Sequence, residues 1–139
     1  MNTSKFKYLI ALTLLLSVIS SCKEDEEPLP EPETPVVMFN FADPAAGATY
    51  SAGDTVAING MISFENDMHG YEISIINTSH SDTVVFNKHE HMDGKMFHIH
   101  EHWVNNVMHH SNMQLKIEAL TDHAGTRETK TINFHCHPM

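Results

Sequence analysis

Hydrophobic and polar residues alternate along most of the chain after Val36. In the stretch Phe97-His98-Ile99-His100, the two apolar side chains share one side of an extended chain and the two histidines share the other. No segment of helix length shows a convincing apolar period near 3.6 residues. The alternating stretches predict the following strands: Val36–Phe41, Thr55–Glu65, Tyr71–Asn77, Thr83–His91, Lys95–Val104, Met113–Thr121 and Arg127–His137. So many short strands within about 100 residues predict an all-β fold, an immunoglobulin-like β-sandwich of about seven strands.

The dipeptide Asp93-Gly94 separates two of these predicted strands. It is the strongest short signal for a two-residue β-hairpin. Both central residues of a type I′ turn need a positive φ, and Asp-Gly tolerates that conformation. The hairpin register would place His89 opposite His98, and alternation would bring five imidazoles to one exposed face. These are His89, His91, His98, His100 and His102.

Imidazoles that converge on one face predict a transition-metal site. The predicted primary ligands are His89, His91, His98 and His100. His102 is expected to lie outside this site, because residues i and i+4 on a strand are about 13 Å apart. A candidate second site combines His102, His109, His135 and His137. The alternative is a polar strand face whose histidines have no common ligand, and His69 and His123 are expected to be structural turn residues.

The ligand set favours zinc over copper, since all-histidine sites suit zinc. Copper is the alternative metal, because soft thioethers, which copper(I) prefers as ligands, lie nearby in the sequence. These are Met92, Met96, Met108 and Met113. Alternatively, these methionines fill gaps in the core or lie on the surface without binding a metal.

The first 21 residues have the pattern of an export signal: Lys5 and Lys7, an apolar run from Tyr8 to Ile19, and then small residues. The apolar run is too short to favour a transmembrane helix. Ile19-Ser20-Ser21-Cys22 resembles a bacterial lipobox, which implies that residues 1–21 are removed and that Cys22 carries a lipid.

Residues 22–35 are acidic and rich in proline and glutamate, which predicts a disordered tether before a domain that spans 36–139. A lipidated cysteine followed by acidic residues resembles the surface-export signal of Bacteroidota lipoproteins. The resemblance implies a lipid-anchored protein on the outer membrane that faces the cell exterior. The formal net charge of −10 at pH 7 argues against nucleic acid as a partner and favours cations.

Enzymatic chemistry is not predicted. Glu90 and Glu101 could serve as general bases toward a metal-bound water, but alternation puts both on the side of Phe97, away from the imidazoles. If Cys22 is lipidated, Cys136 has no partner for an intramolecular disulfide, and its alternation with apolar neighbours predicts a small core residue.

Two local resemblances bear on the site and the fold. Phe97-His98-Ile99-His100-Glu101 is similar to the Phe-His-Val-His-Glu copper-binding strand of copper-zinc superoxide dismutases, which implies His98 and His100 as copper ligands. The zinc-binding subloop, the disulfide and the glycine-rich segment with its arginine have no counterpart, so local convergence is the preferred interpretation over dismutase activity.

The motifs Phe-His-Ile-His-Glu-His-Trp, Thr-Asp-His-Ala-Gly and Phe-His-Cys-His-Pro resemble a family of Bacteroidota lipoprotein domains with an immunoglobulin-like fold. This resemblance implies fold and location. The shared imidazole face predicts the function, which is metal capture, buffering or delivery at the cell surface. The alternative is a non-enzymatic adhesion or structural module that binds protein or glycan through its loops.

Overall fold

Eight β-strands and no helix make up residues 35–138, the part of the chain that the computed structural model describes. The predicted signal and nearly all of the predicted tether lie outside the described residues. The strands are β1 Met38–Asp43, β2 Thr49–Tyr50, β3 Thr55–Met68, β4 Tyr71–Asn77, β5 Thr83–Glu90, β6 Gly94–Val104, β7 Ser111–Leu120 and β8 Arg127–Cys136.

The strands form a three-stranded sheet in the order β1-β3-β6 and a five-stranded sheet in the order β2-β8-β7-β4-β5. All neighbours are antiparallel except β2 and β8, which run parallel. This arrangement confirms the predicted immunoglobulin-like β-sandwich. The count exceeds the prediction by one strand, β2, because two residues are too few to show an alternating pattern.

The core lies between the two sheets and is built from the alternating apolar residues. On β6, Phe97 and Ile99 point inward while His98, His100 and His102 are exposed, as alternation predicts. Burying one such apolar side chain contributes about 1.5–3 kcal/mol. The fully buried members include Val56, Ile58, Ile62, Met68, Ile73, Ile75, Leu115 and Ile117.

The predicted hairpin between β5 and β6 is wrong. β5 pairs with β4, so that His89 lies opposite Glu72, whereas β6 pairs with β3, so that His98 lies opposite Met61. The chain crosses from one sheet to the other between Glu90 and Gly94.

Packing explains why the Asp93-Gly94 signal is overridden. Gly94 does not adopt a positive φ and begins β6 instead. The positive φ near the crossing belongs to Gly70, at 132°. Any Cβ at Gly70 would overlap the carbonyl oxygen of Glu90, so the β3–β4 turn accepts the crossing chain only with glycine there.

An ion-pair group closes the side of the sandwich where the edge strands β5 and β6 approach each other. Lys88 Nζ lies 2.6 Å from Glu90 Oε1 and 3.9 Å from Glu101 Oε1, so it connects the two sheets. The hydrogen bond that Lys88 donates to the Glu90 carboxylate raises the pKa of Lys88. Both glutamates lie on the side away from the exposed histidines, as predicted.

The alternation on β6 can be tested by paired substitutions. Ile99 is 1% exposed, so Ile99→Ala should lower the free energy of unfolding by about 2–5 kcal/mol through lost burial and a residual cavity. His102→Ala, on the exposed side of the same strand, should change it by no more than about 0.5 kcal/mol. Urea denaturation measures both, and equal losses would contradict the assigned faces.

Candidate metal centres

The fold distributes the 12 histidines of the chain over three groups of three, one stacked pair formed by His80 and His109, and one isolated position, His89. All of them are exposed except His69, which is half-buried. The His69 cluster is His69, His91, Asp93 and His123; the histidine face is His98, His100 and His102; the C-terminal cluster is His110, His135 and His137.

The predicted primary ligands are divided among separate surfaces. His89 lies on the outer face of the five-stranded sheet opposite Glu72. The Glu72 carboxylate already accepts hydrogen bonds from Arg127 at 2.8 Å and Asn87 at 2.9 Å. His91 lies in the crossing segment, so only His98 and His100 remain together.

Within residues 35–138, no group of three or more His, Cys, Asp or Glu side chains is arranged to hold a metal ion. Metal binding would require side chains to rotate around pairs that already meet. The structure shows which imidazoles are in contact and which are oriented by a neighbour.

The His69 cluster collects residues from three connections at one end of the sandwich. His69 lies in the β3–β4 turn, His91 and Asp93 lie in the crossing segment, and His123 lies in the β7–β8 turn. Nδ1 of His69 lies 2.6 Å from Oδ1 of Asp93. The ring of His123 stacks on that of His69 with centroids 3.6 Å apart and an interplanar angle of 30°.

The carboxylate of Asp93 interacts electrostatically with the imidazoles of the cluster. The pKa of Asp93 is lowered, first by the hydrogen bond from His69 and then by the charges of His69, His123 and His91. An ionised carboxylate only accepts hydrogen bonds, so Nδ1 of His69 is the donor, and in the neutral ring the lone pair lies on Nε2. A carboxylate that orients an imidazole in this way is the usual partner behind a metal-binding histidine.

The backbone around the cluster is also held in place. The amide of His69 donates to the carbonyl of Leu120 at 2.8 Å, which joins the β3–β4 turn to the end of β7. Asp122 accepts hydrogen bonds from the Thr126 amide at 2.9 Å and the Thr126 hydroxyl at 2.5 Å, which orders the β7–β8 turn and lowers the pKa of Asp122.

Sequence reasoning missed His69 and His123 as functional candidates. Both were expected to be structural turn residues. Their stacking with each other depends on the turn conformations, which alternation along the strands does not determine.

The histidine face occupies the outer side of the three-stranded sheet. His98 lies opposite Met61 and His100 lies opposite Asn59. Nδ1 of His100 lies 3.2 Å from Oδ1 of Asn59, whose Nδ2 donates to Oδ2 of Asp43 at 3.0 Å. A row of hydrogen bonds therefore crosses all three strands and orients the His100 ring.

The C-terminal cluster changes the membership of the predicted second site. Nδ1 of His110 and Nδ1 of His137 lie 2.6 Å apart, so one ring carries a hydrogen there and the other does not. His135 lines the same groove. His109 instead stacks with His80, with centroids 5.6 Å apart.

Cys136 is a core residue, as predicted. Its side chain is buried against the apolar cluster that includes Phe134. Burial, with a smaller contribution from Asp54, raises the pKa of the thiol to about 11. The group is therefore a protonated thiol at neutral pH, and thiolate is the form that binds metals.

No protein-family model matches the chain, and no curated protein is significantly similar to it in sequence. Among solved structures it is similar to the crystal structure of CopC from Methylosinus trichosporium OB3b. The TM-score is 0.42 and the identity 13%, over 73% of this chain and 95% of that chain. These values carry no functional argument. Within residues 35–138, no helix is long and apolar enough to cross a membrane.

The buried thiol of Cys136 should resist modification. In protein whose Cys22 is lipidated or replaced by serine, a thiol-reactive dye at pH 8 should label Cys136 only after denaturation. Rapid labelling of folded protein would contradict its burial.

The same raised pKa predicts a dependence of stability on pH. The stabilisation linked to this thiol is present below its ordinary pKa of 9.0 and is lost as the pH rises from there toward about 11. Cys136→Ala should remove that part of the dependence.

Proposed function

We propose that this chain is a non-enzymatic, lipid-anchored protein of the cell surface that captures, buffers or delivers a transition-metal ion, with zinc favoured. The observation that supports this most is the His69 cluster. Its Asp93 orients the imidazole of His69 while the ring of His123 lies directly against it.

Zinc suits the donors of this cluster. Zinc accepts imidazole nitrogens at about 2.0–2.1 Å and carboxylate oxygens at about 2.0–2.2 Å, in tetrahedral sites. His69, His91 and His123 supply the nitrogens, and Asp93 serves as the orienting partner. The rings of His69 and His123 are stacked rather than convergent, so binding requires rotation of side chains that project from turns. The acidic net charge raises the local concentration of cations.

The lipid anchor is proposed from sequence alone. The lipobox-like Ile19-Ser20-Ser21-Cys22 and the acidic residues after it support attachment through Cys22 and outward display. The acidic segment would hold the domain away from the membrane surface.

We also propose that the chain has no hydrolytic activity. Lys88 is paired with Glu90 and lies near Glu101, so both carboxylates are engaged at the side of the sandwich. Neither glutamate shares the exposed surface that carries the histidine face.

A second candidate function is adhesion to a protein or glycan partner. It is favoured by an apolar groove at the end of β6, lined by Val104, Val107, Met108 and Pro138. Met108 is 82% exposed and Val104 is 49% exposed. Exposed apolar surface of this kind often marks a site of interaction.

Zinc binding should depend on the His69 cluster. We expect His69→Ala and His123→Ala to weaken zinc binding by at least the roughly 10–100-fold that Asp93→Asn should cost as the orienting partner. His89→Ala is the matched control, because His89 lies on another face, and it should leave the affinity unchanged.

Calorimetry on protein without a histidine tag measures these affinities. Untagged protein that binds neither zinc nor copper would favour the adhesion module. Loss of zinc binding in His89→Ala together with full binding in His69→Ala would overturn the assignment to the His69 cluster.

Membrane attachment should require Cys22. Cys22→Ala should remove the lipid, so that the protein fractionates away from membranes, whereas Cys136→Ala should remain membrane-bound. Externally added protease should degrade the anchored protein on intact cells. Protection from protease on intact cells, with degradation after lysis, would contradict outward display.

A further inference from the structure

The outer side of the three-stranded sheet carries methionines as well as histidines. β3 and β6 pair so that Met61 lies directly opposite His98. Met96 precedes His98 by two residues on the same side of β6, and it lies opposite Ser63. Side chains opposed in this way have Cβ atoms about 4.5–5.5 Å apart, and diagonal neighbours are within reach of long side chains.

The thioethers on this side are accessible. Met96 is 54% exposed, and Met38, which pairs with Ser63 from β1, is 64% exposed. Met61 lies between them, opposite His98 on one side and Asn40 on the other. Met61, which is half-buried, and Met96 are therefore the two thioethers next to His98, while Met38 lies two strands away from it.

The imidazole of His100 is held by a neighbouring strand and is not counted as a ligand together with Met96, because the two residues are i and i+4 on β6. Asn59 donates its amide hydrogen to Asp43, which leaves its Oδ1 as an acceptor toward His100. Nδ1 of His100 must then be the donor, so the Nε2 lone pair of His100 is free. Asp43 and Asn59 thus orient the ring of His100, as Asp93 orients the ring of His69.

We propose that Met61, Met96 and His98 form a three-coordinate copper(I) site, in which both methionines lie within one cross-strand or i, i+2 step of the imidazole. Thioether sulfur is a soft ligand that copper(I) prefers, while imidazole binds copper and zinc alike. The mixture of sulfur and nitrogen donors selects copper(I) over zinc, in contrast to the His69 cluster, whose donors are nitrogen and oxygen. The ion binds as copper(I), and no electron transfer is required.

This site does not rest on zinc binding by the His69 cluster. The two sites use different residues on different surfaces, so each can be removed without the other. A protein with both would bind two metals of different chemical character at once.

The test is an anaerobic titration of the untagged protein with copper(I), in competition with a chromogenic copper(I) chelator. Met61→Leu keeps the approximate volume and the apolar character while removing the sulfur. It should weaken copper(I) binding by at least about tenfold, because losing a ligand costs no less than losing an orienting partner. Met96→Leu tests the same point at an exposed position, where folding is not at risk.

Met108→Leu is the matched control, since Met108 is exposed but lies in the β6–β7 connection. It should bind copper(I) as the unaltered protein does. Zinc affinity should be the same in all three methionine variants. X-ray absorption at the copper edge should show sulfur scattering that is reduced in Met61→Leu.

Unchanged copper(I) affinity in both Met61→Leu and Met96→Leu would overturn the proposal. Copper without sulfur neighbours would also overturn it. Loss of copper(I) binding in His69→Ala, with full binding in Met61→Leu, would place the copper in the His69 cluster and likewise exclude the site proposed on the sheet.

Discussion

The crossing of the chain between Glu90 and Gly94 determines where the histidines lie. Because β5 and β6 belong to different sheets, their apolar sides face each other across one core. Their exposed histidines consequently point in opposite directions, and no continuous imidazole surface joins His89 to His98. Because Gly70 has no side chain, the backbone of Glu90 can pass close to it, which makes the crossing sterically feasible. Lys88 connects the two edge strands beside the crossing.

The same physical device prepares imidazoles in two places. Asp93 acts on His69 directly, and Asp43 acts on His100 through Asn59. In both cases an acceptor held by the fold fixes the hydrogen on Nδ1 and leaves Nε2 available. The contact between His110 and His137 is different, because each ring is the other's only described polar partner. No carboxylate there selects which ring is the donor.

Local pattern predicted the faces of the strands but not their partners. Phe97 and Ile99 are buried and His98 and His100 are exposed because burial of apolar side chains dominates the orientation of any one strand. Contacts between residues distant in sequence decide which strand lies beside β6. The hairpin predicted from Asp93-Gly94 was therefore wrong. The stacking of His69 with His123 was equally out of reach, since it arises from two turns separated by more than fifty residues.

The two kinds of site have different evolutionary freedom. The histidine face lies on a strand whose side chains alternate, so a single-residue insertion within β6 would reverse the faces of the residues on one side of it, turning apolar side chains outward and imidazoles toward the core. Its spacing can therefore change only by whole pairs of residues, although individual side chains there can be exchanged freely. The His69 cluster is carried by connections, which tolerate changes in length and composition without disturbing the sandwich. Related domains could thus acquire or lose the cluster while keeping the strand pattern intact.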